Sequence, residues 1–402
     1  MTTQARLKMF DQWLGSALCM LACVAAAALK PLFGRAPRTI PRQAERIIAL
    51  KLCCLGDAIL TGPAFRRIRA THPLAHLTVI TTLRTSRFYE SLPFVDEVVY
   101  LPFTVNPIRW IAFIASLRAR RPDLVFCFDP WYRISALLAC MLMPAYSLGF
   151  TSPRSRMNRR LFSRTIPYTE SQHAVNTYHE LAQTGSLSRP DPMLEFFPSA
   201  EDEAAAAEFI GANGLDAGFV AIFPGSSVAW AAKRWPAERF AELADRITGE
   251  CGSAVALISG MGLEGLSAEI AGKMRRKASI TPGTMTVGAM GAMFQHSRLV
   301  VSVDSAAVHV ASAAGVPIVA LFGFVSPDVY RPFLPASRFR VVRVELPCSP
   351  CVRYGIPHEC ERGYECMQGI SVDKAMRAVR EVMAADAADT LDECPCGRTS
   401  RG

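Results

Sequence analysis

Three turns, each following an apolar run, hold the residues of this 402-residue chain whose types and spacing could do chemistry. In Lys51 to Pro63, KLCCLGDAILTGP, Gly56 permits a tight turn and Asp57 stands at the start of a helix, where the dipole and free N–H groups favour an ionised carboxylate able to take a proton. In Phe223 to Phe240, FPGSSVAWAAKRWPAERF, Gly225, Ser226 and Ser227 offer backbone and hydroxyl donors. Lys233 and Arg234 add cations there, and Trp235-Pro236 opens the next helix. In Val300 to Gly323, VVSVDSAAVHVASAAGVPIVALFG, Asp304 and Ser305 close a β-branched strand, and His309 lies one helical turn beyond Ser305, on the same face. A carboxylate in one half of the chain and phosphate-type donors in the other are what group transfer from a phosphorylated donor requires. Taken singly, the first and third turns have a plainer reading, with Asp57 and either Asp304 or Ser305 as helix caps and His309 as a packed helix residue.

Such turns need parallel strands behind them. Ile47 to Leu52, Leu77 to Thr81, Glu97 to Tyr100 and Leu124 to Phe128 read as strands, with helices over Pro63 to Ala70, Pro107 to Arg120 and Ile134 to Met143 between them. After a linker around Gly185 to Pro198, a second series runs through Phe219 to Phe223, Ala254 to Ser259, Leu299 to Val303 and Pro317 to Leu321, again alternating with helices. The expected fold class is α/β, with two Rossmann-like, doubly wound domains facing a cleft. They span residues 46–190 and 191–385 and are flanked by an N-terminal segment, 1–45, and a tail, 386–402. No internal repeat interrupts the pattern.

A hydrophobic content of 50% excludes a disordered chain and is ample for two cores. The formal net charge of +9 favours acidic partners, which charge alone leaves open between nucleic acid, anionic membrane and phosphorylated metabolites. Leu14 to Leu29, LGSALCMLACVAAAAL, is short for a membrane span and would suit a signal peptide. Basic residues precede it at Arg6 and Lys8 and follow it at Lys30, Arg35, Arg38, Arg42 and Arg46, and this following excess holds its side in the cytoplasm. The expectation is an anchoring or interfacial helix against an anionic membrane surface.

Gly260 to Gly265, GMGLEG, follows a strand and fits a dinucleotide fingerprint. That fingerprint needs an acidic residue near the end of the next strand, and none occurs between Glu269 and Asp304. Cys348, Cys351, Cys360 and Cys366 have the spacing C-x2-C-x8-C-x5-C in a loop rich in Pro and Gly, which suits a structural zinc, against reduced thiols. Cys19, Cys23, Cys53, Cys54, Cys127, Cys140 and Cys251 read as packed thiols, and Cys394 and Cys396 stay unassigned. Arg154, Arg156, Arg159, Arg160 and Arg164 form either a solvated face or a cradle for acceptor phosphates.

Taken in order, LGDAILTGPAFRRIRATHP, FPGSSxxxxxKRWPAERFAELA (Phe223 to Ala244), SVDSAAVHVASAAGVPIVALFG and CSPC (Cys348 to Cys351) resemble glycosyltransferase family 9, the heptosyltransferase family, over about residues 46 to 383. The resemblance implies a GT-B fold and inverting transfer that needs no metal or other cofactor for catalysis. It implies a nucleotide-sugar donor, typically ADP-heptose, a lipid-linked glycan acceptor such as the lipopolysaccharide core, and no nucleic-acid partner. Such a protein works at the cytoplasmic face of the bacterial inner membrane. Carried over by position, Asp57 resembles the family's base and Lys233 its phosphate-binding lysine. Asp304, Ser305 and His309 resemble its donor-site cluster, while Glu264 matches a position facing the donor's ribose or sugar. Where many members have small hydroxyl residues before LGD this chain has Cys53 and Cys54, and where they have glycine after the Asp-Ser pair it has Ala306, whose N–H remains available. The alternative is a catalytically silent nucleotide-sugar or metal-binding protein of the same fold.

Overall fold

The computed structural model describes residues 39–41, 43–102, 104, 106–153, 155–183, 192–226, 228–353 and 360–392. The apolar segment Leu14 to Leu29, the tail cysteines Cys394 and Cys396, Arg154 and Ser227 lie outside them. The chain divides into two units, between Pro192 and Met193.

The first unit carries six strands: β1 (Arg46–Leu50), β2 (His76–Thr81), β3 (Glu97–Tyr100), β4 (Leu124–Cys127), β5 (Tyr146–Thr151) and β6 (Arg164–Pro167). Its helices are α1 (Leu55–Leu60), α2 (Gly62–Thr71), α3 (Leu83–Ser91), α4 (Pro107–Ala119), α5 (Arg133–Met141), α6 (Asn158–Leu161) and α7 (Ala174–Leu181). Every strand pair is parallel, in the order β3-β2-β1-β4-β5-β6. The central strands are continuous apolar runs because helices cover both faces: Ile48, Leu50, Val125 and Cys127 are buried in one cluster with Leu117, Leu137 and Leu138. Local chemistry sets the helix starts. Asn106 caps α4 by accepting from Ile108 N at 2.9 Å, and Pro107 follows at the first helical position.

The second unit repeats the plan. Helix α8 (Ala200–Ala212) opens on a capping box between Ser199 and Asp202. Then come β7 (Phe219–Phe223), α9 (Ala237–Cys251), β8 (Ala254–Leu257), α10 (Glu264–Lys273), β9 (Ser279–Ile280), α11 (Val287–Gln295) and β10 (Leu299–Val303). The chain continues through α12 (Ala306–Ala313), β11 (Ile318–Leu321), α13 (Pro327–Tyr330), β12 (Phe339–Val342), α14 (Glu365–Gln368) and α15 (Val372–Asp392). The parallel order is β12-β11-β10-β7-β8-β9. Phe240, Leu243 and Ile247 of α9 and Met376, Val379 and Val382 of α15 pack into one core with Val220, Ile222, Val301 and Val303. Trp235, fully buried, donates Nε1–H to the Ile370 carbonyl at 3.0 Å.

Counted within each unit, both sheets have the doubly wound order 3-2-1-4-5-6, so strand order reverses between β1 and β4 and again between β7 and β10. Ligands of open α/β sheets bind outside the carboxyl ends of the strands at such switch points. The structure departs from the sequence reading at the margins. A separate short helix, α1, precedes the helix expected at Pro63 to Ala70. Strands β5, β6, β9 and β12 were not anticipated, since YSLGFT and RTIP lack long apolar runs and β9 has two residues.

Candidate active site

In the first unit the switch point is built on a buried ion pair. Lys51 Nζ meets Asp129 Oδ1 at 2.9 Å, with side chains 2% and 0% exposed. The second Asp129 oxygen accepts from Leu52 N at 2.8 Å and from Ser135 Oγ at 2.6 Å, so the carboxylate ties the end of β1 to the end of β4 and the start of α5. Burial works against the ammonium, but Asp129, with smaller help from Asp57 and Cys54, holds the Lys51 pKa well above its ordinary value. Three residues beyond Lys51, Cys54 turns the chain at φ 69°, and α1 starts at Leu55. Asp57 is the third residue of α1, half-buried, and Tyr178 of α7 donates its hydroxyl to Asp57 Oδ1 at 3.3 Å. The carboxylate thus sits past the carboxyl end of β1, oriented by a tyrosine and within electrostatic reach of a fixed cation.

Two thiols line the same turn. Cys53 Sγ lies 3.2 Å from Cys54 Sγ and accepts from the Tyr132 hydroxyl at 3.2 Å. The hydrogen bond from Cys54 outweighs burial and, with Tyr132 and Lys51, lowers the Cys53 pKa to about 7; the Cys54 thiol is pushed up by the same contact.

In the second unit β7 leads through buried Gly225 and Ser226 into a 3-10 turn, Val228–Lys233, where Ser226 Oγ donates to the Trp230 carbonyl at 2.7 Å. That bond folds the turn back so that Lys233 reaches the end of β10. Its Nζ stands 2.5 Å from Asp304 Oδ2 and 4.8 Å from the centre of the Trp230 ring. Ser305 caps α12, accepting from Ala307 N at 3.2 Å, and Ala306 is the first helical residue. His309 is buried one turn on, 6.4 Å from the Tyr330 ring. Gly225, Ser226 and Lys233 on the loop after β7, and Asp304 and Ser305 after β10 with Ala306 and His309 in the first turn of α12, therefore flank the switch point, with a cation and a helix N-terminus suited to a diphosphate. Glu264, exposed at the first position of α10, lies against Gly283 on the loop after β9. The GMGLEG stretch spans the turn into α10, which takes in only its last two residues.

Cys348, Cys351, Cys360 and Cys366 line one cavity of about 70 Å³, closed on one side by Trp230 and Phe324, whose rings stack at 6.2 Å. Among the described residues, no group of three or more Cys, His, Asp or Glu side chains is arranged to hold a metal ion, so the four thiols share the cavity without closing on a common point. Burial and the neighbouring cysteines push Cys366 up to about 11 and raise Cys351.

The sequence reading missed Lys51 and Asp129. The available signal was a charge at the carboxyl end of each of two apolar strands, where only a paired or functional group is tolerated.

Two doubly wound α/β units with these loops at their switch points define the GT-B fold class. The model of glycosyltransferase family 9 (heptosyltransferase) matches residues 110–361, and the chain belongs to that family and is a glycosyltransferase. The chain is 25% identical over 305 residues to the lipopolysaccharide core heptosyltransferase OpsX of Haemophilus influenzae, covering 74% of this chain and 82% of the relative. In fold it is similar to the family 9 glycosyl transferase of Veillonella parvula, with a TM-score of 0.70, 24% identity, and coverage of 85% and 97%. It is also similar to E. coli ADP-heptose lps heptosyltransferase II, with a TM-score of 0.67, 20% identity, and coverage of 85% and 99%.

Proposed function

We propose that this protein moves a heptose from ADP-heptose to a lipopolysaccharide core or a related lipid-linked glycan, with inversion at the anomeric carbon. The observation that carries the reading is the pair Lys233–Asp304 beside the N-terminus of α12, a site for a leaving diphosphate, in a chain whose other unit presents Asp57 at its own switch point. The names of its relatives support the sugar and the acceptor. Asp57 takes the proton from the acceptor hydroxyl as that oxygen attacks the anomeric carbon, and the nucleoside diphosphate leaves from the opposite face, its charge met by Lys233 and the N–H group of Ala306. Glu264 and His309 contact the donor's sugar or ribose. Exposed Arg156, just past the carboxyl end of β5, and its neighbours Arg159, Arg160 and Arg164 meet acceptor phosphates. The reaction runs at the cytoplasmic face of the inner membrane, where nucleotide sugars and lipid-linked acceptors meet; no helix among the described residues is long and apolar enough to cross a membrane. The test is incubation with ADP-heptose and heptose-deficient lipopolysaccharide. ADP release that requires both, with an inverted linkage in the product, is expected; turnover with another nucleotide sugar but none with ADP-heptose would overturn the donor assignment.

The four-thiol cavity supports a structural reading beside this one. One zinc ion would draw Cys348, Cys351, Cys360 and Cys366 together and stabilise the Cys351 and Cys366 thiolates, which burial and the neighbouring cysteines disfavour. Chelator-free purification followed by elemental analysis tests it, and substoichiometric zinc rejects it.

A further inference from the structure

Helix α4 is apolar on two sides. Trp110, Phe113, Ile114 and Leu117, spaced i, i+3, i+4, i+7, turn inward onto the first unit's core. A second stripe with the same spacing, Ile108, Ile111, Ala112 and Ala115, faces solvent, with Ile108 72% and Ile111 67% exposed. Arg109, Arg118 and Arg121 are exposed around it, and no Asp or Glu occurs from Val98 to Pro122.

We propose that the outward stripe of α4 docks on the surface of an anionic lipid bilayer, apolar residues in the headgroup boundary and arginines on the lipid phosphates. Three observations select this occupant. The arginines, with no carboxylate in the segment, match an anionic surface. The amino end of β1 lies beside the C-terminal end of α4: Arg46, Arg118 and Arg121 line one hollow with Asp123, whose Oδ2 accepts from the backbone N–H groups of Glu45 and Arg46, both at 2.9 Å. The preceding chain, with its apolar run Leu14 to Leu29 and basic flanks, therefore joins the fold at that end. Helix α4 also starts past the carboxyl end of β3, the sheet end that carries Asp57, and finishes before the amino end of β4. Lying flat, it brings both the catalytic end of the sheet and the amino end of β1 to one plane. A second copy of the chain is a poorer occupant, since two isoleucines and two alanines fall far short of the roughly 800 Å² per partner that a stable interface buries.

This deepens the membrane part of the proposed function, and its test needs no transfer activity. Full-length protein is mixed with phosphatidylcholine vesicles with or without phosphatidylglycerol, and hydrogen exchange of the segment 107–119 is followed by mass spectrometry. Exchange slowed about tenfold or more only on the phosphatidylglycerol vesicles is expected. The Ile108→Asp/Ile111→Asp protein, both sites being exposed, should keep its thermal transition and lose that protection even where its N-terminal segment still holds it on the vesicle. Unchanged exchange on bound vesicles, or no vesicle binding at all, overturns the proposal. So does protection without vesicles: where it grows with protein concentration the occupant is a second copy, and where it does not, the chain's own N-terminal segment.

Discussion

Lys233 Nζ stands 2.5 Å from Asp304 Oδ2, which joins the loop after β7 to the end of β10. Asp304 fixes the ammonium, which has three N–H donors and so can also meet an incoming phosphate. Lys233→Ala removes a charge-assisted contact and is expected to slow transfer about 100-fold. Steady-state kinetics with ADP-heptose check this, and unchanged turnover would remove Lys233 from the mechanism.

Asp57→Asn separates a base from a structural residue. Asp57 is the third residue of α1 and not its N-cap, and Asn keeps an oxygen that can accept from Tyr178, so a purely structural role predicts a mild effect. Asn cannot take the acceptor's proton, so turnover should fall by at least ~100-fold while donor affinity, measured by calorimetry, stays the same. Near-normal turnover in the folded variant would leave Asp57 a structural residue.

Asp129→Ala leaves the Lys51 ammonium buried without its partner, at an expected cost of about 3–5 kcal/mol in urea unfolding at pH 7. Because the folded pKa of Lys51 is raised, its contribution is fully present below the unfolded value of 10.5 and is lost as pH rises through the higher folded value. Wild-type protein should therefore lose this increment only in strongly alkaline solution. A loss between pH 6 and 8 would contradict the pairing.

The Cys53 thiol, lowered to about 7, should be alkylated by iodoacetamide with a rate that rises through pH 7 and levels above it. Cys127, buried beside the Asp129 carboxylate, is raised and should lag throughout this range. Peptide mapping after timed alkylation distinguishes them, and equal rates would argue that the Tyr132 and Cys54 contacts do not persist in solution.

The sequence alone determined the elements with strong local causes. β1, β4, β7 and β10 are apolar runs because each is covered on both faces, and Asp57, Lys233 and Asp304 were legible as polar residues in the turns beyond three of them. Short or mixed strands such as β6 and β12 were not legible, since four residues at a sheet edge carry little pattern. What only the tertiary structure decided is partnership across distance. The link between Lys51 and Asp129 spans 78 positions, and its cause is a strand order that sets β1 beside β4, which no local window contains. The same holds for Lys233 and Asp304, brought together by the pairing of β7 with β10. The outward stripe of α4 shows the converse: the sequence carries two apolar stripes at helical spacing, and only packing reveals which of them the core takes and which it leaves to solvent.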